Sequence, residues 1–286
     1  MISPTCLWMY RQLYNAYRKK YRVIIKRELD KQCRQILKGE QPDEEGLKRA
    51  IRSLHQGAGK QMAKYTYDKV LRSAGMKQEL TPQQRWAIVI KMLLEKGLDA
   101  DMKEITDTTK ETMRKVLTKG MQEGWSITRM MNELEKSGIN AYRAELIART
   151  ETTTAANKGA LLGAVSTGLQ TVKEWIAIND DRTRRTPRDL YDHLNMDGVQ
   201  VATDEVFKVK GKESDADMEF PGDPAGGPGN TCNCRCTVGF EALRDENDRP
   251  MEITGGLRGV AGEMFSLWNN SVLLQIQRGF YEAVSM

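Results

Sequence analysis

The chain of 286 residues has no apolar run that approaches the roughly 20 residues needed to cross a bilayer, which argues against an integral membrane protein. In residues 1–22 the basic side chains follow the apolar ones, the reverse of a secretory signal, so we expect no leader peptide. Five cysteines are too few for a disulfide scaffold, and their odd number favours a reducing compartment. These absences predict a soluble protein made in a cytoplasm, with no membrane partner.

The modest net charge of +5 hides an uneven distribution along the chain. Residues 1–150 carry 30 Lys and Arg against 18 Asp and Glu, while residues 151–286 carry 14 against 21. The first half is therefore basic and the second half acidic. We expect the basic half to be attracted to a polyanion or to an acidic protein surface.

Helical periodicity dominates the first half. One apolar stripe recurs at steps of three and four residues, which predicts one buried helix face: Leu7, Tyr10, Tyr14, Tyr17, Tyr21, Ile24 and Ile25. Asp43 and Ser126 are predicted N-caps of later helices. Further helices are predicted from Thr81-Pro82 to about Gly97, from Asp99 or Asp101 to Gly120 or Gly124, from Ser126 to Lys136, and from about Asn140 to Val165.

From Thr171 the sequence changes to short segments of strand-forming residues that glycine and proline interrupt. Strands are predicted at residues 172–178, 199–201, 206–209 and 236–240. The predicted fold class is α+β. Its parts are a largely α-helical N-terminal domain (residues 1–141), a small loop-rich α+β module (142–245), and a glycine-rich joint with a C-terminal amphipathic helix (246–286).

Three clusters in the second half contain residues that carry chemistry. The first is Arg149-Thr150-Glu151 with Asn157, where Thr150, Thr153 and Asn157 share one helix face. The second begins at Trp175 with WIAINDDRTR and continues to His193 and MDG. The third combines PGDP, which begins at Pro221, with NCRCT at residues 233–237.

Five motifs in this order resemble the Mu F-like minor head protein family of tailed bacteriophages. They are RTE…N, W-x-A-x-x-D-x-R-T-R, H-x-x-M-D-G, PGDP and NCRCT. The resemblance covers roughly residues 142–240. Two features depart from the family pattern: the stretch 185–192 is longer than usual, and Cys232 adds a thiol. The residues that match as a structural motif are Arg149, Thr150, Glu151, Asn157, Trp175, Asp180, Arg182, Arg184, His193, Asp197, Gly198, Asp223, Asn233, Cys234, Arg235 and Cys236.

This resemblance implies a minor capsid protein for head morphogenesis in a tailed phage or prophage. Such a protein is located in the virion head after assembly in the bacterial host cytoplasm. Its expected partner is the phage portal protein during procapsid assembly, with an influence on DNA packaging or ejection. Scaffolding protein, major capsid protein and packaged DNA are further candidate partners.

Two interpretations of the motif residues stay open. In the favoured one they form a buried network of ion pairs and hydrogen bonds that ties loops together, with no catalytic residue. The alternative is a phage-delivered enzyme, a nuclease or transferase. In that enzyme His193 would be the general acid or base, and Asp180 or Asp223 would orient it. Arg149 or Arg182 would hold an anion. Only one candidate histidine is present, and no nucleophile motif accompanies it.

Four residues also suggest a metal site: His193, Cys232, Cys234 and Cys236. Structural zinc sites usually separate their cysteines by two or more residues. In C-x-C, strand alternation sends Cys234 and Cys236 to one face, which is compatible with a zinc ion, a strained disulfide or two packed thiols. We expect packed thiols and no cofactor, with zinc as an alternative. Cys6 and Cys33, on the basic helix, are interpreted as ordinary interface or core residues, and His55, which shows no companion residues, is interpreted as incidental.

The first helix is strongly basic, and its basic residues are candidates for nucleic-acid or partner contact: Arg11, Arg18, Lys19, Lys20, Arg22, Lys26 and Arg27. Three interpretations stay open. The residues form a solvated face, bind an acidic patch on a partner, or contact DNA phosphates in a salt-dependent and sequence-independent way. The last interpretation makes the chain a non-specific DNA-binding core protein.

Overall fold

The computed structural model describes residues 4–38, 40–76, 111, 114–116, 118–120, 122–136 and 141–253. The helix predicted from Thr81, most of the helix predicted from Asp99 or Asp101, and the predicted joint and C-terminal helix beyond residue 253 lie outside these residues. In the described ranges, no helix is both long enough and apolar enough to cross a membrane.

Four longer helices precede the strands in the described residues: α1 (Pro4–Leu37), α2 (Glu44–Ser73), α3 (Ile127–Lys136) and α4 (Ala141–Val165). Asp43 caps α2, because its carboxylate accepts a hydrogen bond from the backbone N–H of Glu45. The Ser126 hydroxyl accepts a bond from the backbone N–H of Arg129 in the first turn of α3. Both predicted N-caps are confirmed.

The apolar stripe of α1 faces the core as predicted. Tyr10, Tyr14, Tyr21 and Ile25 are buried, and Leu7, Tyr17 and Ile24 are partly buried against the same cluster. The stripe packs on α2 and α4, so α1 is held by its periodic apolar face.

Helices α2 and α4 approach each other closely through small residues. A Cβ atom on Gly159 would overlap the backbone carbonyl of Gly59, and one on Gly163 would overlap the carbonyl of Ala63. Glycine is therefore required at both α4 positions by the distance between the two helix backbones.

The strands form two small antiparallel sheets. The first has the order β2-β1-β5, with β1 (Thr171–Ile176) between β2 (Gln200–Ala202) and β5 (Thr237–Ala242). Trp175 is opposite Val238 in this sheet. The second sheet pairs β3 (Phe207–Val209) with β4 (Ala216–Met218). The α+β class and the helical first half are confirmed.

Three short elements were not predicted. Strand β4 has the sequence Ala-Asp-Met, which is too short and too polar to show alternation. A 3-10 turn (Pro224–Gly226) and helix α5 (Pro228–Thr231) lie inside the Gly/Pro run that was predicted as loop. Proline is in the first turn of both, where its missing N–H is not needed.

The larger of the two hydrophobic clusters in the described residues runs through the helices and the sheets. It includes Leu13 of α1, Leu54 of α2, Ala156 of α4, Trp175 of β1 and Phe240 of β5, all nearly inaccessible. The domain boundary predicted after residue 141 falls at the first residue of α4, and α4 packs on both α1 and α2. The predicted division into domains stays a prediction, and the core is continuous across it.

Candidate functional site

One face of α4 carries a row of buried and partly buried polar residues. We define the α4 polar face as Thr150, Thr153, Thr154 and Asn157. Its three threonines bind the backbone of the loops that precede the 3-10 turn and β5. The bonds are Thr150 Oγ1 accepting from Asn233 N (3.1 Å), Thr153 Oγ1 donating to Cys234 O (2.7 Å) and Thr154 Oγ1 donating to Gly222 O (2.8 Å).

Asn157 contributes most to this face. It is fully buried, and its amide nitrogen donates to Pro221 O at 2.6 Å and to Cys236 O at 3.0 Å. Its amide oxygen accepts a bond from the Thr237 hydroxyl at 2.9 Å. One side chain therefore joins both loops to α4 and satisfies all of its own hydrogen-bonding groups except one lone pair.

The polar face also connects to α1. The hydroxyls of Tyr10 and Thr153 are 3.0 Å apart. Because Thr153 donates its proton to Cys234 O, Tyr10 is the donor to Thr153. Burial raises the pKa of Tyr10 well above 10, which keeps the phenol protonated for this bond.

His55 is not incidental, which corrects the sequence interpretation. It is buried on α2, and its Nε2 lies 2.7 Å from an oxygen of Glu151, which is buried on α4. The two residues are 96 positions apart, so no local pattern marks the pair. The bond explains why a glutamate is tolerated in the core beside the α4 polar face, since buried charges need a partner.

Arg149, the other charged residue of the RTE motif, points away from this interior. Its Nε donates to Glu145 at 2.7 Å, one turn earlier on α4. Glu145 also binds Arg18 of α1 and lies 3.7 Å from the Arg22 Nε. Arg149 therefore belongs to a partly exposed charge cluster that links α1 to α4.

The segment after β1 is fixed by two aspartates. Asp180 forms a two-pronged ion pair with Arg235, with distances of 2.7 and 2.6 Å, and this guanidinium lowers the pKa of the carboxyl well below its usual range. Asp197 accepts from the backbone N–H of Ala177 at 2.8 Å. Arg182 is more exposed and lies 3.9 Å from Asp180.

His193, Cys234 and Cys236 meet in the interior, and each of them is almost completely buried. The His193 Nδ1 atom is 3.7 Å from the Cys234 sulfur and 3.8 Å from the Cys236 sulfur. The three donor atoms all lie within 4.8 Å of one another. We call these three residues the thiol–imidazole cluster. Cys232, the fourth metal candidate, is half-buried and outside it.

The cluster lies beneath Trp175, whose ring meets the His193 ring edge-on at 5.2 Å. Within the cluster, the bond that Cys236 donates lowers the pKa of Cys234, and the same interaction with burial raises the pKa of Cys236. The first proton therefore leaves the pair more easily than the second.

The side chains of Asp223 and Arg184 form hydrogen bonds with backbone groups of the loops. The two carboxylate oxygens of Asp223 accept bonds from Ala225 N at 3.0 Å and Glu219 N at 2.7 Å, so this residue caps the 3-10 turn. The Arg184 guanidinium donates to the carbonyl of Cys232. The five residues of the catalytic alternative thus bind different partners, and no hydrogen bond joins His193 to Asp180, Asp223, Arg149 or Arg182. Their proposed catalytic role stays a prediction.

Sequence reasoning overlooked three buried polar residues near these loops. Asp192 accepts bonds from both Thr186 and Asn195, an Asp-x-x-Asn spacing that the sequence does show. Asn230 binds His193. Lys173 is buried in β1, donates to Glu219 O at 3.0 Å, and has its pKa lowered by burial to about 8.

The predicted contact residues of α1 divide into two groups. Arg18 binds Glu145, Lys26 binds Asp30, Arg27 is 3.4 Å from Glu28, and Lys20 lies over the ring of Tyr21. The second group lies on an exposed surface that we call the α1 outer face. The α1 outer face consists of the predicted residues Arg11, Lys19 and Arg22 together with Trp8 and Val23, which were not among the predicted contacts and are each 62% exposed.

A comparison with protein families matches residues 111–239 to the family described as Phage Mu protein F like protein. The match includes α3, α4, the thiol–imidazole cluster and the first residues of β5. It begins earlier than the motifs indicated. The chain therefore contains a phage Mu F-like module, and the predicted family is confirmed. Members of the family described in this way are similar to residues 111–239, which are just under half of the chain.

Among curated proteins, the chain is similar to the NAD(+)–arginine ADP-ribosyltransferase EFV of Enterococcus faecalis, with 27% identity over 147 residues. The similarity covers 50% of this chain and 28% of that protein, so the chain spans less than a third of that relative's length. No solved structure matches the chain.

Proposed function

We propose that the chain is a non-enzymatic minor head protein of a tailed phage or prophage that binds the portal protein during procapsid assembly and contributes to DNA packaging or ejection. The observation that carries this proposal is the Mu F-like match across residues 111–239. Its site of action is the virion head, where contacts with other head components are required.

The α1 outer face supports a docking role. Exposed Trp8 and Val23 lie beside Arg11, Lys19 and Arg22, so this surface combines apolar area with positive charge. Aromatic residues and arginine are the types that most often anchor protein interfaces. A partner with an acidic patch and an apolar recess fits this surface best.

A retention experiment with the portal ring encoded alongside this chain tests the proposal. We expect purified full-length chain to be retained in a fixed, small number of copies per ring at low salt. The retained fraction should fall at higher salt because exposed charges are screened over about 10 Å at 0.1 M. No retention at either salt concentration would contradict portal binding.

Paired variants locate the contact. Lys19→Glu with Lys20→Glu should lower retention several-fold, because Lys19 is part of the α1 outer face and Lys20 is exposed next to it in the sequence. Lys60→Glu with Lys64→Glu is the matched control, since these two lysines are exposed on α2. Equal loss in both double variants would attribute the effect to total charge and not to this face.

An enzyme is the alternative function, and the name of the Enterococcus faecalis relative makes a transferase its specific form. The purified chain would then consume NAD(+) or modify arginine, and a nuclease would cut DNA. Turnover that disappears in His193→Ala while the variant stays folded would establish the enzyme. Absence of turnover in the unmodified chain would leave the assembly role.

Non-specific DNA binding is the third candidate function, and the basic residues of α1 are the feature that supports it. Affinity for duplex DNA would then fall steeply with salt, with a slope set by the number of phosphates contacted. The variant pair Lys19→Glu with Lys20→Glu would reduce that slope, whereas Lys60→Glu with Lys64→Glu would not.

A further inference from the structure

We propose that the thiol–imidazole cluster, His193 with Cys234 and Cys236, binds one divalent zinc ion that fastens the loops of the Mu F-like module. The cluster contains two sulfur donors and one imidazole nitrogen, the ligand types that zinc prefers in proteins.

The spacing of the donor atoms suits a tetrahedral ion. Zinc binds sulfur at about 2.3 Å and histidine nitrogen at about 2.0–2.1 Å, so two such ligands on a tetrahedron lie about 3.6 Å apart. The observed distances from His193 Nδ1 to the two sulfurs are 3.7 and 3.8 Å. Small side-chain shifts are enough to place all three atoms in the coordination shell.

The histidine tautomer is also the one that a metal requires. Asn230 donates through Nδ2 to Gly226 O at 2.9 Å, which directs its amide oxygen at His193 Nε2, 2.9 Å away. The proton of a neutral His193 is therefore on Nε2, and the lone pair of Nδ1 faces the two sulfurs. A hydrogen bond to the remote ring nitrogen is a regular feature of histidine ligands to metals.

Charge favours zinc in this buried position. Two cysteine thiolates cancel the double positive charge of Zn²⁺, so the occupied site with its neutral imidazole carries no net charge. The indole N–H of Trp175 lies against the Cys236 sulfur and has no oxygen or nitrogen acceptor. It supplies a donor to a thiolate. The described residues thus provide three of the four ligands of a tetrahedral zinc ion.

The proposed zinc site connects two loop segments that contain little helix or strand. His193 belongs to the long loop between β1 and β2, whereas Cys234 and Cys236 lie directly before β5. A disulfide between the two cysteines would leave His193 without its sulfur partners. A zinc ion uses all three residues and joins the two loops beneath Trp175.

The test uses the full chain, expressed with zinc in the medium and purified under reducing conditions without chelator. We expect about one zinc per chain by mass spectrometry. Replacement by Co²⁺ should give thiolate-to-cobalt charge-transfer bands and the visible bands of tetrahedral cobalt. Metal-free protein as purified, together with no charge-transfer band after Co²⁺ addition, would overturn the proposal.

Variants assign the ligands. Cys234→Ser, Cys236→Ser and His193→Ala should each lower bound metal about tenfold or more. Cys33→Ala is the matched control, because Cys33 is equally buried but packs with Leu134 in a separate cluster, and it should keep the metal. Loss of metal in Cys232→Ser would overturn the assignment to these three residues.

A measurement on the unmodified chain covers the case in which the variants do not fold. A mercurial thiol reagent should release the zinc to a chromogenic chelator in step with modification of two thiols. Titration of the denatured chain without reductant should find all five thiols. Finding two fewer thiols, and no released metal, would show a disulfide and contradict the zinc site.

Discussion

Replacing Asn157 with alanine is the most direct perturbation of the α4 polar face. The change removes three buried hydrogen bonds, to Pro221 O, Cys236 O and the Thr237 hydroxyl, with lengths of 2.6, 3.0 and 2.9 Å. Each bond contributes about 1 kcal/mol net, and the buried acceptors left behind add a desolvation cost of about 1–3 kcal/mol. We expect Asn157→Ala to lower the free energy of unfolding by about 4–6 kcal/mol.

Urea unfolding followed by tryptophan fluorescence and by circular dichroism measures this change. Trp175, one of five tryptophans, is fully buried beside the affected loops, so the part of the emission change that is absent in Trp175→Phe reports on the module, while circular dichroism reports on the helices. Asn15→Ala is the matched control, since Asn15 is exposed on α1, and it should stay within about 0.5 kcal/mol of the unmodified chain.

A second substitution at this position tests the direction of the bonds. Asn157→Asp keeps the acceptor for Thr237 but places a carboxylate against two carbonyl oxygens, so the neutral acid is the form that fits. Its pKa in the folded state should rise, and the variant should regain stability as pH falls. A cost below about 1 kcal/mol for Asn157→Ala, or no pH dependence for Asn157→Asp, would refute this account.

Three further changes test other parts of the fold. Gly159→Ala should cost about 1–3 kcal/mol because its methyl meets the Gly59 carbonyl; unchanged urea stability would contradict that contact. Burial lowers the pKa of Lys173 to about 8 in the folded chain, against an ordinary value of 10.5, so between these two pH values the unfolded chain binds the proton and the folded chain does not. The stability of the unmodified chain should therefore rise by about 3 kcal/mol from pH 8 to 10.5 relative to Lys173→Met, and parallel pH profiles would contradict this. Asp180→Asn should cost about 1–2 kcal/mol at pH 7, after allowance for its partial exposure. Because Arg235 lowers the Asp180 pKa, that difference should shrink as pH falls below about 4, and a difference that persists in acid would contradict the ion pair.

The helices could be predicted from sequence because their signals are local. Asp43 and Ser126 bind backbone groups two and three residues away, and the apolar stripe of α1 needs only a period of 3.6 residues. Strand β4 could not be predicted, since three residues of mixed polarity pair only because β3 lies beside them.

The sequence indicated which residues to consider for the thiol–imidazole cluster, but it could not predict which of them are in contact. The spacing of Cys234 and Cys236 correctly placed both thiols near one partner. The stated reason was incomplete, because β5 begins only at Thr237 and both cysteines precede the strand. Which residue they meet is decided by a loop more than 40 positions away, and His55 with Glu151 is a similar long-range case.

The position of α4 explains why the motif residues are spread over about a hundred positions. One side of this helix packs through Gly159 and Gly163 on the backbone of α2, and another presents the α4 polar face to the loops. Since Tyr10 donates to Thr153 and the Cys6 thiol contacts Val238 O at 3.7 Å, α1 reaches both the polar face and β5. Buried polar contacts from Tyr10 through Thr153 to Cys234 O therefore connect α1 to the segment that carries Cys234 and Cys236. For a head protein that docks through α1, a rigid connection of this kind keeps the module at a fixed orientation to its partner, and rigidity is what a continuous close-packed core provides.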